Sequence, residues 1–83
     1  MYWIPYIIKC RGGSLYTGVT NDLKRRLAAH NAVRGARYTR SRLPAVLLYC
    51  ERYRAMSRAF SREAAIKRPP RERKLDLIRG IAL

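Results

Sequence analysis

With 83 residues the chain fits one domain and no more, and a domain this short hides only about 60% of the surface that its unfolded form exposes, so marginal stability is expected. An apolar fraction of 48% excludes a disordered basic tail. Nineteen Lys and Arg against five Asp and Glu give a formal net charge of +14, an excess that repels itself unless a polyanion neutralises it.

Tyr2 to Cys10 is rich in aromatic and β-branched residues and predicts a first strand. Gly12 and Gly13 mark a tight turn, and Ser14 to Val19 supplies a second strand, making a hairpin. Thr20 or Asn21 suits a helix N-cap and Asp22 the first turn, so a helix is predicted to about His30. Gly35 interrupts a basic loop from about Ala32 to Leu43. Pro44 opens a third strand, Ala45 to about Tyr53, whose continuous apolar character predicts a buried central position. A second helix covers roughly Ala55 to Lys67 and stops at Pro69-Pro70. A short third helix, Arg71 to Arg79, ends at Gly80. The order ββαβαα predicts a single α+β domain over residues 1–83, a three-stranded sheet packed by helices.

Nucleic acid is the first candidate partner for so much positive charge, and an anionic membrane surface the second. Arg outnumbers Lys by fifteen to four, and Arg bonds phosphate bidentately and stacks on bases, which favours nucleic acid. The longest apolar run without proline, Ala45 to Cys50, is far too short to cross a bilayer. The N-terminal apolar stretch has neither a basic leader nor a cleavage site, so a cytoplasmic protein is expected, with no role for a membrane. Cys10 and Cys50 fall in apolar strand segments and read as buried thiols rather than a disulfide or metal ligands.

Four features could carry chemistry. On the first helix, Leu23 and Leu27 mark an apolar stripe, and Arg26 and His30 fall on the same face, one turn apart. An Arg there is costly unless an anion meets it, although it could snorkel while His30 makes one ordinary hydrogen bond. On the second helix, Met56, Phe60 and Ile66 define the apolar face, Arg58 and Arg62 point outward, and Glu63 lies within the stripe. That acid wants a cation, either a hard metal ion such as Mg2+ or an Arg such as Arg26. In the hairpin, pairing Tyr6 with Gly18 and Ile8 with Tyr16 would bring both phenols to one face, which requires the three-residue loop Arg11-Gly12-Gly13 with a left-handed glycine. A two-residue Gly-Gly turn would put them on opposite faces, and two strand tyrosines can simply be β-formers. Finally, Arg34, Arg37, Arg40 and Arg42 surround Tyr38, a pattern of phosphate contacts around one stacking ring or else solvated charge.

These segments together resemble the GIY-YIG nucleases, in particular their small bacterial stand-alone branch. Ile4-Pro5-Tyr6 stands where the GIY tripeptide would, and Tyr16-Thr17-Gly18 stands for YIG. Thr20 to Leu27 with His30-Asn31, then Gly35 to Thr39, the Pro44 strand and Arg62 to Lys67 follow in order, so the similarity covers nearly the whole chain. It implies a three-stranded antiparallel sheet flanked by helices, with the site on one face. It also implies roles: Tyr6 and Tyr16 as paired tyrosines acting on the attacking water, Arg26 on the scissile phosphate, His30 assisting, and Glu63 holding a single Mg2+ or Mn2+. Arg34, Arg37, Tyr38, Arg40, Arg42 and Lys67 would grip nucleic acid. Ile4 and Pro5 depart from the family pattern, and no Asn follows Asn31 to match the one that larger relatives use after the acidic helix.

The function expected is therefore metal-dependent hydrolysis of DNA phosphodiesters, selective for structure rather than sequence, with RNA as the other possible substrate. The alternative is a non-catalytic basic nucleic-acid-binding module with the same fold. A free phenol has a pKa near 10 and is a poor base, so a metal ion and Arg26 are expected to favour the phenolate.

Overall fold

The computed structural model describes residues 1–10, 13–31 and 45–80. Three strands, β1 (Ile4–Lys9), β2 (Leu15–Thr20) and β3 (Val46–Cys50), form one antiparallel sheet in the order β2-β1-β3. Three helices accompany it: α1 (Leu23–Asn31), α2 (Met56–Lys67) and α3 (Arg71–Ile78). This is the α+β layout expected, with one correction. The central strand is β1, not β3. Ile4 to Ile8 are all buried, whereas β3 runs from exposed Val46 to half-buried Cys50 at an edge. An apolar run shows that a strand is covered but not whether it has neighbours on both sides.

The hairpin pairs Tyr6 with Gly18 and Ile8 with Tyr16, so even-numbered β1 residues and both tyrosines share a face. Cys10 N–H donates to Ser14 O at 2.8 Å across three intervening residues, and Gly13 takes φ +92°, a conformation that glycine adopts without penalty. On this face Tyr6, Ile8 and Ala45 form a buried cluster, against which Tyr16, Leu47, Cys50 and the α1 residues Leu23 and Leu27 pack. Ile7 pairs with Tyr49 on the opposite face. There α2 covers the sheet, burying Ala59 and Ile66 completely and setting Phe60 against Trp3 at 6.3 Å between ring centroids. Of the three residues expected to define the apolar face, Ile66 is buried while Met56 and Phe60 remain about half exposed, because the helix is rotated to bury its smaller side chain at position 59.

Pro5 sits in the central strand, where its missing N–H should break a ladder. Its carbonyl accepts from Glu51 N–H at 3.0 Å, so its amide side faces β3, and regular β3 pairing starts only at Tyr6. The ladder closes again beyond the proline through the Trp3–Tyr53 bridge. The strand therefore survives both departures from the GIY pattern.

Local capping differs from expectation by one residue. Asp22 Oδ1 accepts from Arg25 N–H at 3.1 Å and is the N-cap of α1, while Thr20 Oγ1 accepts from Asp22 N–H. At the far end of α1, the Asn31 amide bonds both backbone groups of Ala45, donating to its O at 3.2 Å and accepting from its N–H at 2.5 Å. One side chain thus ties the helix to the start of β3. No disulfide joins Cys10 and Cys50, and Cys50 is only half-buried. No helix among the described residues is long and apolar enough to cross a membrane.

A Cβ at Gly18 would stand 2.7 Å from the Tyr6 hydroxyl and 2.9 Å from its ring. Tyr6 is itself buried, so the ring cannot swing clear cheaply. Gly18→Ala should destabilise the fold by about 1–3 kcal/mol, the usual cost of overpacking. Urea unfolding checks this, and an unchanged midpoint would show that the ring has room to move.

Candidate active site

The sheet face under α1 gathers two phenols and an imidazole. Tyr6 comes from the central strand, Tyr16 from β2, and His30 from the last turn of α1. Tyr6 Oη and His30 Nε2 are 3.3 Å apart in a buried contact. The Tyr16 and His30 rings pack edge-on with centroids 5.0 Å apart, and the two phenol rings lie 6.4 Å apart. Tyr6 and His30 are almost fully enclosed, at 1% and 3% exposure, whereas Tyr16 is half-buried. Tyr16 is accordingly the phenol open to a small molecule.

Burial sets the charge states. It pushes the Tyr6 pKa up to about 12, with a further rise from Tyr16; Arg26 pulls it down by charge and by its donor capacity, and Glu63 raises it slightly. Arg26 thus acts towards the phenolate, as expected, but enclosure outweighs the guanidinium by itself, and Tyr6 is neutral at physiological pH. Burial, then the charge of Arg26, lowers the His30 pKa, so the imidazole is neutral as well. A neutral His can accept a proton, and its tautomer follows the bond it makes with Tyr6.

Arg26 is exposed rather than tucked into the apolar stripe, beside the Tyr6 phenol. Glu63 reaches the site differently. It lies on α2, half-buried between Ala59 and Ile66, on the helix that covers the other face of the sheet. Its charge acts on Tyr6, but no hydrogen bond joins it to either phenol, and no cation stands within ion-pair distance of it among the described residues. Arg26 is thus not its partner. The structure brings Tyr6, Tyr16 and His30 into direct contact and sets Arg26 and Glu63 within electrostatic reach. Arg34, Arg37, Tyr38, Arg40 and Arg42 lie outside the described residues. Lys67, at the end of α2, is exposed.

Arg62 is a further correction. Instead of pointing outward, its Nε donates to both Glu51 oxygens, at 2.9 and 3.1 Å. The same carboxylate accepts from the Tyr53 hydroxyl at 2.6 Å and from the Tyr49 hydroxyl. Burial alone would raise the Glu51 pKa, but the bonds from Arg62 and the two phenols hold it below its usual value. Burial, and then its bond to Glu51, pushes Tyr49 up to about 12. The alternation of Tyr49, Glu51 and Tyr53 puts these three on one side of an extended chain and was the available signal.

A sequence model of the GIY-YIG catalytic domain matches residues 2–76. The chain belongs to the GIY-YIG family. It is 47% identical over 74 residues to UPF0213 protein SAG0778 of Streptococcus agalactiae, covering 89% of this chain and 84% of that protein. The solution NMR structure of EF2693 from E. faecalis superposes with a TM-score of 0.67 at 33% identity, covering 96% of this chain and 85% of that one. That of UPF0213 protein BH0048 from Bacillus halodurans gives 0.62 at 36%, covering 94% and 83%. This GIY-YIG chain therefore falls in a nuclease family that acts on nucleic acid and generally uses divalent metal ions, within its small bacterial branch.

A His whose folded pKa is depressed contributes stability that is present above its ordinary pKa, near 6.5, and lost as pH falls through the folded value. Stability should drop between about pH 7 and pH 5, before carboxylates of usual pKa protonate. In His30→Gln this part of the drop should vanish. Urea midpoints at the two pH values measure it, and equal slopes in both proteins would rule out His30 as the source.

Proposed function

We propose that this protein is a metal-dependent DNA phosphodiesterase that selects substrates by shape, with Tyr16, Tyr6, His30, Arg26 and Glu63 as its working residues. The observation that supports this most is the contact of two phenols with a neutral imidazole on one sheet face, within the fields of Arg26 and Glu63.

The half-buried Tyr16 hydroxyl is the group that meets the attacking water and orients it. As Tyr16 Oη takes the water proton it passes its own to Nδ1 of the neutral His30, whose Nε2–H donates to Tyr6 Oη, so the ring ends protonated and the phenol ends unchanged. Tyr6 acts one step back. Its hydroxyl holds His30 Nε2, which fixes the ring, and contacts of this kind tighten when a substrate closes the site. Arg26, exposed beside Tyr6, faces the scissile phosphate and stabilises the charge that builds on it. The same uncompensated guanidinium disfavours a proton on His30 at rest, so the acceptor is ready at neutral pH.

Glu63 fits a hard divalent ion. Among the described residues no cation stands against its half-buried carboxylate, and no cluster of three His, Cys, Asp or Glu occurs. A single carboxylate suits Mg2+ or Mn2+, which keep most of their waters and need few protein ligands. When bound, such an ion supplies positive charge for the phosphate oxygens.

A second reading, a non-catalytic module that binds nucleic acid through the same fold, gains support from one feature: Glu63 makes no hydrogen bond to either phenol. Cleavage of labelled branched, nicked and single-stranded DNA, with RNA alongside, separates the two. With Mg2+ or Mn2+ the chain should cut, Glu63→Ala should bind without cutting, and Tyr16→Phe should lose about 10²–10⁴ in kcat. Tyr6→Phe should lose less and shift the acidic limb of the pH profile, as befits a positioning residue. Equal cutting by Glu63→Ala would defeat the nuclease reading.

A further inference from the structure

Beside the edge strand β2 lies a hollow of about 290 Å³ lined by Leu15, Tyr16, Thr17, Lys67 and Lys74. It draws on three elements: β2, the last residue of α2, and the first half of α3. Tyr16 belongs to both this hollow and the phenol–imidazole cluster, so the two share a wall. Two lysines line it, and no acid does so among the described residues. Lys74 is half-buried, and neither lysine has a carboxylate within ion-pair distance among the described residues. Lysine drawn out of water without a counter-charge is a site short of an anion. Thr17 adds an independent sign. It is 7% exposed, and its Oγ1 is the one buried side-chain polar atom without a hydrogen-bond partner among the described residues. Buried hydroxyls are normally bonded, so an unused donor on a residue of this wall is short of an acceptor.

We propose that this hollow is a second phosphate subsite, holding the backbone phosphate next to the scissile one on the same strand, with Lys67 and Lys74 as its cations and Thr17 as a neutral donor. Which phosphate is scissile rests on the proposed nuclease reading; the subsite itself rests on the lysines and the hydroxyl. Successive phosphates of a strand would then lie on the two sides of Tyr16. Such a contact fixes where the strand sits relative to the water-bearing phenol and carries no base preference.

The test uses the full chain carrying Glu63→Ala, so that bound DNA stays intact, and single-stranded DNA with one uncharged methylphosphonate moved along successive linkages. Mapping the cut with the unmutated chain identifies the scissile linkage. In the parent, one linkage beside the scissile one should weaken binding when neutralised. Adding Lys67→Ala and Lys74→Ala should abolish sensitivity at that linkage alone and flatten the log–log salt slope by about 0.7, the value for one phosphate on a single strand. Thr17→Val, which alters no charge, should reduce the penalty at the same linkage. Identical methylphosphonate profiles and slopes in parent and lysine variants overturn the subsite, as does a failure of both to bind. If the unmutated chain cuts while the profiles stay identical, the nuclease reading stands and the subsite falls. A lysine-dependent linkage without any cutting establishes the subsite and removes the nuclease reading.

Discussion

The close approach of Tyr6 to Gly18 is the contact on which the arrangement of this protein depends. The Tyr6 ring lies across β2 where Gly18 offers no side chain, and its hydroxyl then falls beside His30 Nε2. Shifting the hairpin by one residue would turn the phenols to opposite faces, because side-chain direction alternates along a strand. The three-residue connection ending in left-handed Gly13 sets that register. Two glycines, one for backbone conformation and one for space, thus locate the phenol pair within the hairpin itself.

Electrostatics in this chain is a matter of contrast. The molecule carries a formal charge of +14, yet the two enclosed groups at the centre of the site, Tyr6 and His30, are neutral. Enclosure disfavours both the phenolate and the imidazolium, and the neighbouring Arg26 adds to the second effect while only partly offsetting the first. A neutral acceptor beside a neutral donor can move a proton without first unmaking a salt bridge. The surrounding cations remain available to phosphate.

Two acids near α2 have opposite fates. Glu51 gathers Arg62, Tyr49 and Tyr53 and is fully bonded, tying the end of β3 to the helix on the outer face. Glu63, one residue along the helix from Arg62, has none of these partners. A saturated carboxylate has no lone pairs left for a metal ion, so the chemistry of the two is separated by their hydrogen bonds rather than by residue type. Asn31 is likewise committed, to the backbone of Ala45, and does not stand in for the Asn of larger relatives.

The amino-acid sequence alone determined what short-range rules govern: element order, turn positions and the helical spacing that sets Arg26 and His30 one turn apart, while the hairpin register stayed open between a two- and a three-residue turn. Those features depend on period and on glycine, which are local. Tertiary structure decided the rest. Strand order made β1 central although β3 has the more continuous apolar run, because hydrogen-bonded neighbours are chosen between distant segments. Packing rotated α2 so that Ala59 is buried, Phe60 stays half exposed and Arg62 meets Glu51. It also enclosed Tyr6 and left Tyr16 half open, which no periodicity distinguishes, since desolvation depends on everything that surrounds a group and not on its place in the chain.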